Sequence, residues 1–157
     1  MLRYTLSAQF VSRLPIPDAP ATDCDAIGEL AMQITAQAQA RYALHRQVRH
    51  RVLTDLGTLG KDGVIAPLNQ KLTAWWQLDF PGLRGEVQKV FRRDIPLKER
   101  DAWEAWLAER CAAHDHLTAQ IVRLETDLNR RVYALFDLTA AEIKLIEEST
   151  KYRYREV

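Results

Sequence analysis

The chain has 157 residues, which suits one ordinary domain, and its 47% hydrophobic and 27% charged content is typical of a globular protein rather than a disordered one. A formal net charge of +1 excludes a global attraction to polyanions, so any nucleic-acid binding must come from local patches. No apolar run approaches the ~18 residues of a membrane span, and the N-terminus does not resemble a signal peptide, so we expect a cytoplasmic protein with no membrane partner. Cys24 and Cys111 are far apart in the sequence, and we expect both to be reduced thiols.

The first elements are a short strand and a long helix. Residues 9–20 begin with alternating apolar and polar positions and then contain Pro15, Pro17 and Pro20, which predicts at most one short N-terminal strand leading into an extended segment. Residues 24–56 keep an apolar spacing of three and four and are rich in alanine and glutamine. They predict a helix of roughly 50 Å. Gly57 and Gly60 are its expected ends.

The second half begins with short helices and continues with a longer one. A helix is predicted over 68–78, then a break at Phe-Pro-Gly, then one or two amphipathic turns over 83–91. Between 97 and 138 the chain contains neither glycine nor proline, which predicts a second long helix of about 60 Å. Thr139 and Glu142 have the spacing of a capping box, so a last helix of about ten residues should follow.

These elements predict a mainly α fold. Two long helices with one apolar stripe each, about 24–56 and 97–138, gain most of their stability from packing. The simplest arrangement is an elongated antiparallel helical hairpin or bundle, with short helices between and after the long pair.

Several segments resemble the extreme C-terminus of Type IIG restriction–modification proteins, in which a DNA adenine methyltransferase is followed by a target-recognition region. The resemblance covers roughly residues 9–157. The segments that carry it are Phe10–Asp18, Leu68–Phe80, Phe91–Arg100, Leu128–Phe136, Leu138–Glu148 and Lys151–Tyr154.

The resemblance implies that residues 1–20 are the exit segment of a target-recognition module and that 21–157 form a helical C-terminal domain. It also implies a parent protein that methylates adenine with S-adenosylmethionine. Such enzymes need an Asn/Asp-Pro-Pro-aromatic motif and a glycine-containing loop for the methyl donor. This chain has neither motif. We therefore expect no catalytic residue, no cofactor and no enzyme activity in the chain itself.

Three short motifs that could suggest chemistry have simpler interpretations. Glu142-Ile-Lys144 has the letters of a nuclease motif, but Glu142 is explained by the capping box. Gly57-x-x-Gly60-Lys61 lacks the spacing and the Ser or Thr of a phosphate loop. His114 and His116 diverge on a helix because they are two residues apart, so we expect no metal site, with His114 partly buried and His116 exposed.

Basic residues provide the candidate binding surface. The segment Arg41–Arg51 holds four arginines, two histidines and no acidic residue. A second basic cluster, Arg92 and Arg93 with Lys98 and Arg100, lies at the start of the second long predicted helix. Such a ridge can contact DNA phosphates, which position a protein without specifying sequence. The alternative is a solvated helix face paired with Glu104, Glu109 or Asp115. The candidate DNA-binding residues are Arg41, Arg46, Arg49, Arg51, Arg92 and Arg93.

The leading hypothesis is a non-catalytic helical part of a site-specific DNA methyltransferase or restriction–modification protein. It would support target recognition and contact the DNA backbone, with the remainder of that protein as its partner. The alternative is a stand-alone helical structural or oligomerisation protein without nucleic-acid binding, which forms a homodimer through an exposed helical stripe.

Overall fold

The fold is mainly α, as predicted. A computed structural model describes residues 17–60 and 63–149, and two long helices account for most of them. Within these two ranges there is no strand, only an isolated antiparallel bridge between Leu59 and Ile65. The strand predicted before residue 17 and the tail after residue 149 lie outside the described ranges. In the same ranges, no helix combines the length and the apolarity that crossing a membrane requires.

The first long helix, α1, spans Ala21–Arg51. It begins a few residues before the predicted start, where the amides of Asp23 and Cys24 bond to the Pro20 carbonyl at 2.9 and 3.2 Å. Asp23 lies in the first turn. A carboxylate there is stabilised by the unpaired amides at a helix N-terminus.

A wider, π-helical turn, Val52–Leu56, follows α1 and ends at Gly57. Gly57 is extended (φ −64°, ψ 144°) rather than left-handed, so it does not end the helix in the usual glycine manner. A Cβ at this position would lie 2.2 Å from the Leu53 carbonyl oxygen. Glycine is therefore required here by close backbone approach and not by an unusual φ.

Two short helical segments and one regular helix follow. The single helix predicted over 68–78 is replaced by α2, Gln70–Thr73, and a 3₁₀ turn, Trp75–Gln77. Next comes α3, Phe80–Phe91, which begins at the Phe-Pro-Gly sequence expected only to break a helix. Asn69 caps α2 and Asp79 caps α3, each by accepting a backbone N–H at 2.8 Å.

The second long helix, α4, spans Arg100–Leu135 and is preceded by a 3₁₀ turn, Leu97–Glu99. Together they match the helix predicted over 97–138 apart from its last residues. Asp137 has a positive φ of 49° and ends the helical run.

The last helix, α5, spans Ala140–Ser149. The Thr139 amide donates to the Glu142 carboxylate at 2.8 Å, and the Glu142 amide points back at Thr139 Oγ1 at 3.4 Å. Bonds from the Thr139 side chain and amide lower the pKa of Glu142. The predicted capping box is therefore confirmed.

The chain divides into two compact units. We call Met32–Glu125 the central unit, and Met1–Ala31 with Thr126–Val157 the terminal unit. Both long helices contribute to both units. The predicted boundary at residue 20 remains a prediction that follows from the resemblance.

The central unit contains a continuous apolar core. Within it, α1 and α4 run antiparallel, since Arg41 contacts Thr118 while Arg51 lies over Trp103. Trp75, Leu72, Leu83, Val87 and Ile95 show no exposed surface at all. The core cluster comprises Leu44, Val48, Val52, Leu56, Leu72, Trp75, Phe80, Leu83, Val87, Phe91, Ile95, Trp103 and Leu107.

Asp94 joins α3 to the start of α4. Its carboxylate accepts two hydrogen bonds from Arg84, at 3.1 and 2.8 Å, and one from Arg100 at 2.8 Å. The Ile95 amide adds a fourth bond at 2.7 Å. The Arg84 hydrogen bonds are the main reason that the pKa of Asp94 falls to about 2.

The terminal unit has no comparable core. None of its described residues, 17–31 and 126–149, is fully buried. An apolar groove of about 440 Å³ separates the end of α4 from α5 and is lined by Tyr133, Leu138 and Ile143 among others.

Candidate nucleic-acid interface

The six predicted DNA-binding arginines fall into two groups. Arg41, Arg49 and Arg51 make contacts inside the central unit, whereas Arg46, Arg92 and Arg93 are exposed and form no ion pair or hydrogen bond with described residues.

Arg51 has a structural environment. Its Nε donates to Asp55 at 3.2 Å, and its guanidinium carbon lies 5.2 and 4.5 Å from the ring centroids of Trp103 and Trp106. These two indoles pack edge to face at 5.1 Å. A guanidinium over two indole rings is held by cation–π attraction and stacking. Arg51 therefore fastens the end of α1 to α4.

Arg49 is also held by contacts within the central unit, but its side chain borders an open groove. Its Nε donates to the Thr73 carbonyl at 3.0 Å, and its guanidinium carbon lies 6.0 Å from the Trp76 ring centroid. Its Nη2 is buried and has no hydrogen-bond partner in the described part of the chain. The positive charge is thus held in a defined position.

An open basic groove lies along this face of α1. Its volume is about 590 Å³, and Arg46 and His50 project into it one helical turn apart, beside the fixed Arg49. Gln47 adds an amide. The lining residues, which we call the α1 groove, are Ala43, Arg46, Gln47, Arg49, His50 and Leu53.

The second basic cluster lies at the C-terminal end of α3. Arg92 ends the helix in the left-handed conformation (φ 54°, ψ 30°), and both Arg92 and Arg93 are exposed. Thr58 Oγ1 donates to the Phe91 carbonyl at 2.7 Å. This bond ties the end of α3 to the loop that follows α1.

Two of the three acidic residues considered as partners of the basic segment, Glu109 and Asp115, have other neighbours. Glu109 pairs with Arg110 at 2.6 Å, and Asp115 lies 3.2 Å from His114 Nδ1. Arg49 and Arg51 instead use a backbone carbonyl and Asp55. Arg41 Nη1 donates to Thr118 at 3.2 Å, so a cross-helix contact explains why arginine occupies an apolar position of its helix.

Sequence reasoning missed a buried ring cluster, which comprises His45, Trp75, Trp76 and His114. The His45 ring lies parallel to Trp76 at 4.3 Å and nearly parallel to His114 at 5.2 Å. Trp75 packs edgewise against both histidines. On one regular helix Trp75 and Trp76 would point in different directions, but both contact the core, because Trp76 also packs against it. His45 lies three or four residues from Arg41, Val48 and Arg49 and therefore shares a helix face with them. This spacing is the sequence signal that could have indicated its buried position.

The electrostatics of His45 follow from this position. Burial is the main reason that its pKa falls from 6.5 to about 4, and the positive potentials of His114, Arg49 and Arg41 act in the same direction. His45 Nε2 and Trp75 Nε1 have no hydrogen-bond partner in the described residues. The imidazole is therefore neutral at pH 7.

The residues weighed as metal ligands or nuclease groups have structural contacts. His114 is buried beside Asp115, while His116 is exposed and lies 2.9 Å from the Gln120 amide nitrogen, as their positions on the helix predicted. Across residues 17–60 and 63–149, no three potential ligands converge as a metal site would require. Lys61 of the glycine loop lies outside these ranges.

Comparison with known proteins gives a family but no activity. No curated protein and no solved structure matches the chain. A family described as Domain of unknown function (DUF8810) matches residues 21–132, from the start of α1 to near the end of α4. This match covers the whole central unit and well over half of the sequence, so the chain belongs to the DUF8810 family.

Proposed function

We propose that this chain is the non-catalytic helical C-terminal part of a site-specific DNA methyltransferase or restriction–modification protein, and that it contacts the DNA backbone through the α1 groove. The observation that carries the proposal is the groove itself, where Arg46, Arg49 and His50 line one open surface. The parent protein would supply the methyl-donor site and the base-reading loops.

The chemistry of the groove suits phosphate. Arg49 is held by Thr73 and Trp76, so little conformational freedom is lost when its guanidinium meets an anion. Arg46 is exposed beside it and can approach a second phosphate oxygen. Arginine donors match the geometry of phosphate oxygens better than lysine does.

The exposed arginines at the end of α3 provide a second contact. Arg92 and Arg93 are exposed and lie next to Phe91, whose carbonyl is bonded to Thr58. Two to four phosphate contacts would give sequence-independent binding with a log–log salt slope of about −2 to −4. Binding of this kind positions a protein on DNA and leaves sequence reading to other elements.

The test is binding of the purified chain to a plain duplex over a salt series. Arg46→Gln should weaken binding equally for unrelated sequences and reduce the salt slope by about one. The matched control is Arg123→Gln, which removes the same charge from an exposed position on α4. Absence of binding at low salt, or equal effects of both variants, would overturn the DNA contact.

The link to a methyltransferase has its own test. The coding sequence adjoining this gene should encode a methyl-donor-binding domain with an Asn/Asp-Pro-Pro-aromatic motif. Co-expressed, the two parts should methylate adenine in DNA, and the methyltransferase part without this chain should bind DNA more weakly and methylate it more slowly. A genome in which no such domain adjoins or accompanies the gene would contradict the link.

A helical oligomerisation protein is the second candidate. Several large apolar side chains of the central unit are well exposed, among them Met32 at 68%, Tyr42 at 58% and Val122 at 55% on the two long helices. Exposed apolar surface favours association. Sedimentation that shows a salt-independent dimer, together with no DNA binding, would favour this candidate.

A further inference from the structure

The ring cluster joins three elements, and the buried imidazole of His45 contacts every other ring in it. His45 comes from α1, Trp75 and Trp76 from the 3₁₀ turn, and His114 from α4. His45 lies against the other three rings, at centroid distances of 4.3 to 5.9 Å. It is only 4% exposed. A change at this one ring therefore affects the contact between α1 and α4.

Burial and the basic neighbours of His45 oppose a positive charge on its ring. On α1 the charged neighbours are Arg41 and Arg49. The 3₁₀ turn contributes two indoles and a glutamine, and no ionisable group. On α4 the neighbours are His114, with Cys111 and Asp115 next to it.

The α4 groups do not offset this. Burial and the nearby Asp115 raise the pKa of the Cys111 thiol, so Cys111 stays neutral. The Asp115 side chain is 78% exposed and lies beside His114 rather than His45. Stacking on Trp76 favours a cation, but burial and three basic neighbours act against it.

We propose that the ring cluster is an acid-sensitive clasp, in which protonation of His45 separates α1 from the 3₁₀ turn and from α4 in the central unit. The proton comes from solvent and no covalent bond changes. The imidazolium leaves the stack to gain water, and Arg49, which lies over Trp76, loses one of its two anchors. This proposal does not depend on DNA binding.

The direction of the pH effect follows from linkage. The folded pKa of His45 lies near 4 and the unfolded value near 6.5, so only the unfolded or opened state takes up the proton between them. Stability is therefore unaffected above about pH 6.5 and falls as the pH drops toward 4. The unfolding equilibrium constant should rise roughly tenfold to thirtyfold between about pH 7.5 and pH 5 from this one group.

The first experiment measures chemical denaturation of the wild type and His45→Phe across this pH range. Phenylalanine keeps a stacked ring but cannot be protonated, so the variant should lose most of the pH dependence. His50→Gln is the matched control because His50 is an exposed histidine on the same helix, and it should keep the wild-type dependence. Equal pH dependence in all three proteins would overturn the clasp.

A second measurement covers the case in which His45→Phe fails to fold. The imidazole proton resonances of the wild type are followed by NMR from neutral to acid pH, with His50→Gln and His116→Gln assigning the exposed rings. One resonance should resist titration until amide exchange within α1 and α4 of the central unit accelerates. Free titration of His45 near 6.5 in a fully protected protein would contradict the proposal.

Discussion

The central unit and the terminal unit are built from the same two long helices but bury very different amounts of side chain. The fully buried residues in the described ranges lie between Leu44 and Ile121, all in the central unit. The described residues of the terminal unit are stabilised by local devices such as the Thr139–Glu142 capping box and the ion pair between Arg131 and Asp127 at 3.5 Å. Tertiary packing therefore supports the part of each long helix that lies in the central unit, whereas contacts between residues close in sequence stabilise the described residues of the terminal unit.

The largest expected effect comes from removing the centre of the core. Trp75→Ala should destabilise the central unit by about 3–5 kcal/mol, because its ring is fully buried and its loss leaves a cavity. Urea denaturation monitored by circular dichroism measures this change. Tyr133→Ala, a half-buried aromatic of the terminal unit, is the comparison and should cost clearly less. Equal costs would mean that the two units are equally well packed.

A substitution that forces the backbone to move should also destabilise the central unit. Gly57→Ala places a methyl group 2.2 Å from the Leu53 carbonyl oxygen, so the end of the π-helical turn must move, at a cost of about 1–3 kcal/mol. Gly85→Ala is the matched control on α3, where no atom lies within 4 Å of the new Cβ. It should stabilise the helix by about 0.5–1 kcal/mol. Thermal unfolding distinguishes the two variants by the sign of the change in Tm.

The Asp94 bridge should give the central unit a distinct acid response. The pKa of Asp94 is about 2 in the folded protein, below its ordinary 3.8. Its contribution to stability is therefore present above about pH 4 and is lost as the pH falls toward 2. Asp94→Asn should flatten this part of the stability profile and lower Tm at neutral pH.

Glu104→Gln is the control for the Asp94 bridge, since Glu104 is exposed on α4. It should leave both the acid slope and Tm close to wild type. A wild-type slope in Asp94→Asn would show that the bridge contributes nothing.

The smallest effect is expected in the terminal unit. Thr139→Ala removes the cap of α5 and should cost that helix about 1 kcal/mol. Hydrogen exchange should speed up in α5 alone, while amides of the central unit stay protected. Faster exchange throughout the chain would show that the two units unfold together.

The sequence predicted the features that depend on nearby residues. The three-to-four apolar spacing located both long helices, and the Thr139–Glu142 pair located α5. These features are determined by residues within one or two helical turns of each other, so a short stretch of sequence is enough to predict them. The exposure of Arg46 likewise depends on its position along α1 and not on distant residues.

Features that depend on distant residues were not predicted. Arg41 donates a hydrogen bond to Thr118, which is 77 positions away, and the residues near Arg41 in the sequence do not predict this contact. Trp76 stacks on His45, so both tryptophans of the 3₁₀ turn contact the core, and the regular helix predicted there gives way to a tighter turn. In each case tertiary packing decided the local conformation.

Arg92 shows how a surface charge can cost conformational energy. An L-residue with a Cβ is strained at a φ of 54°, whereas glycine adopts this geometry freely. Glycine would adopt this geometry without the strain, yet the chain carries arginine at the end of α3. Arg92→Gly should therefore raise Tm, while it removes a positive charge from an exposed position.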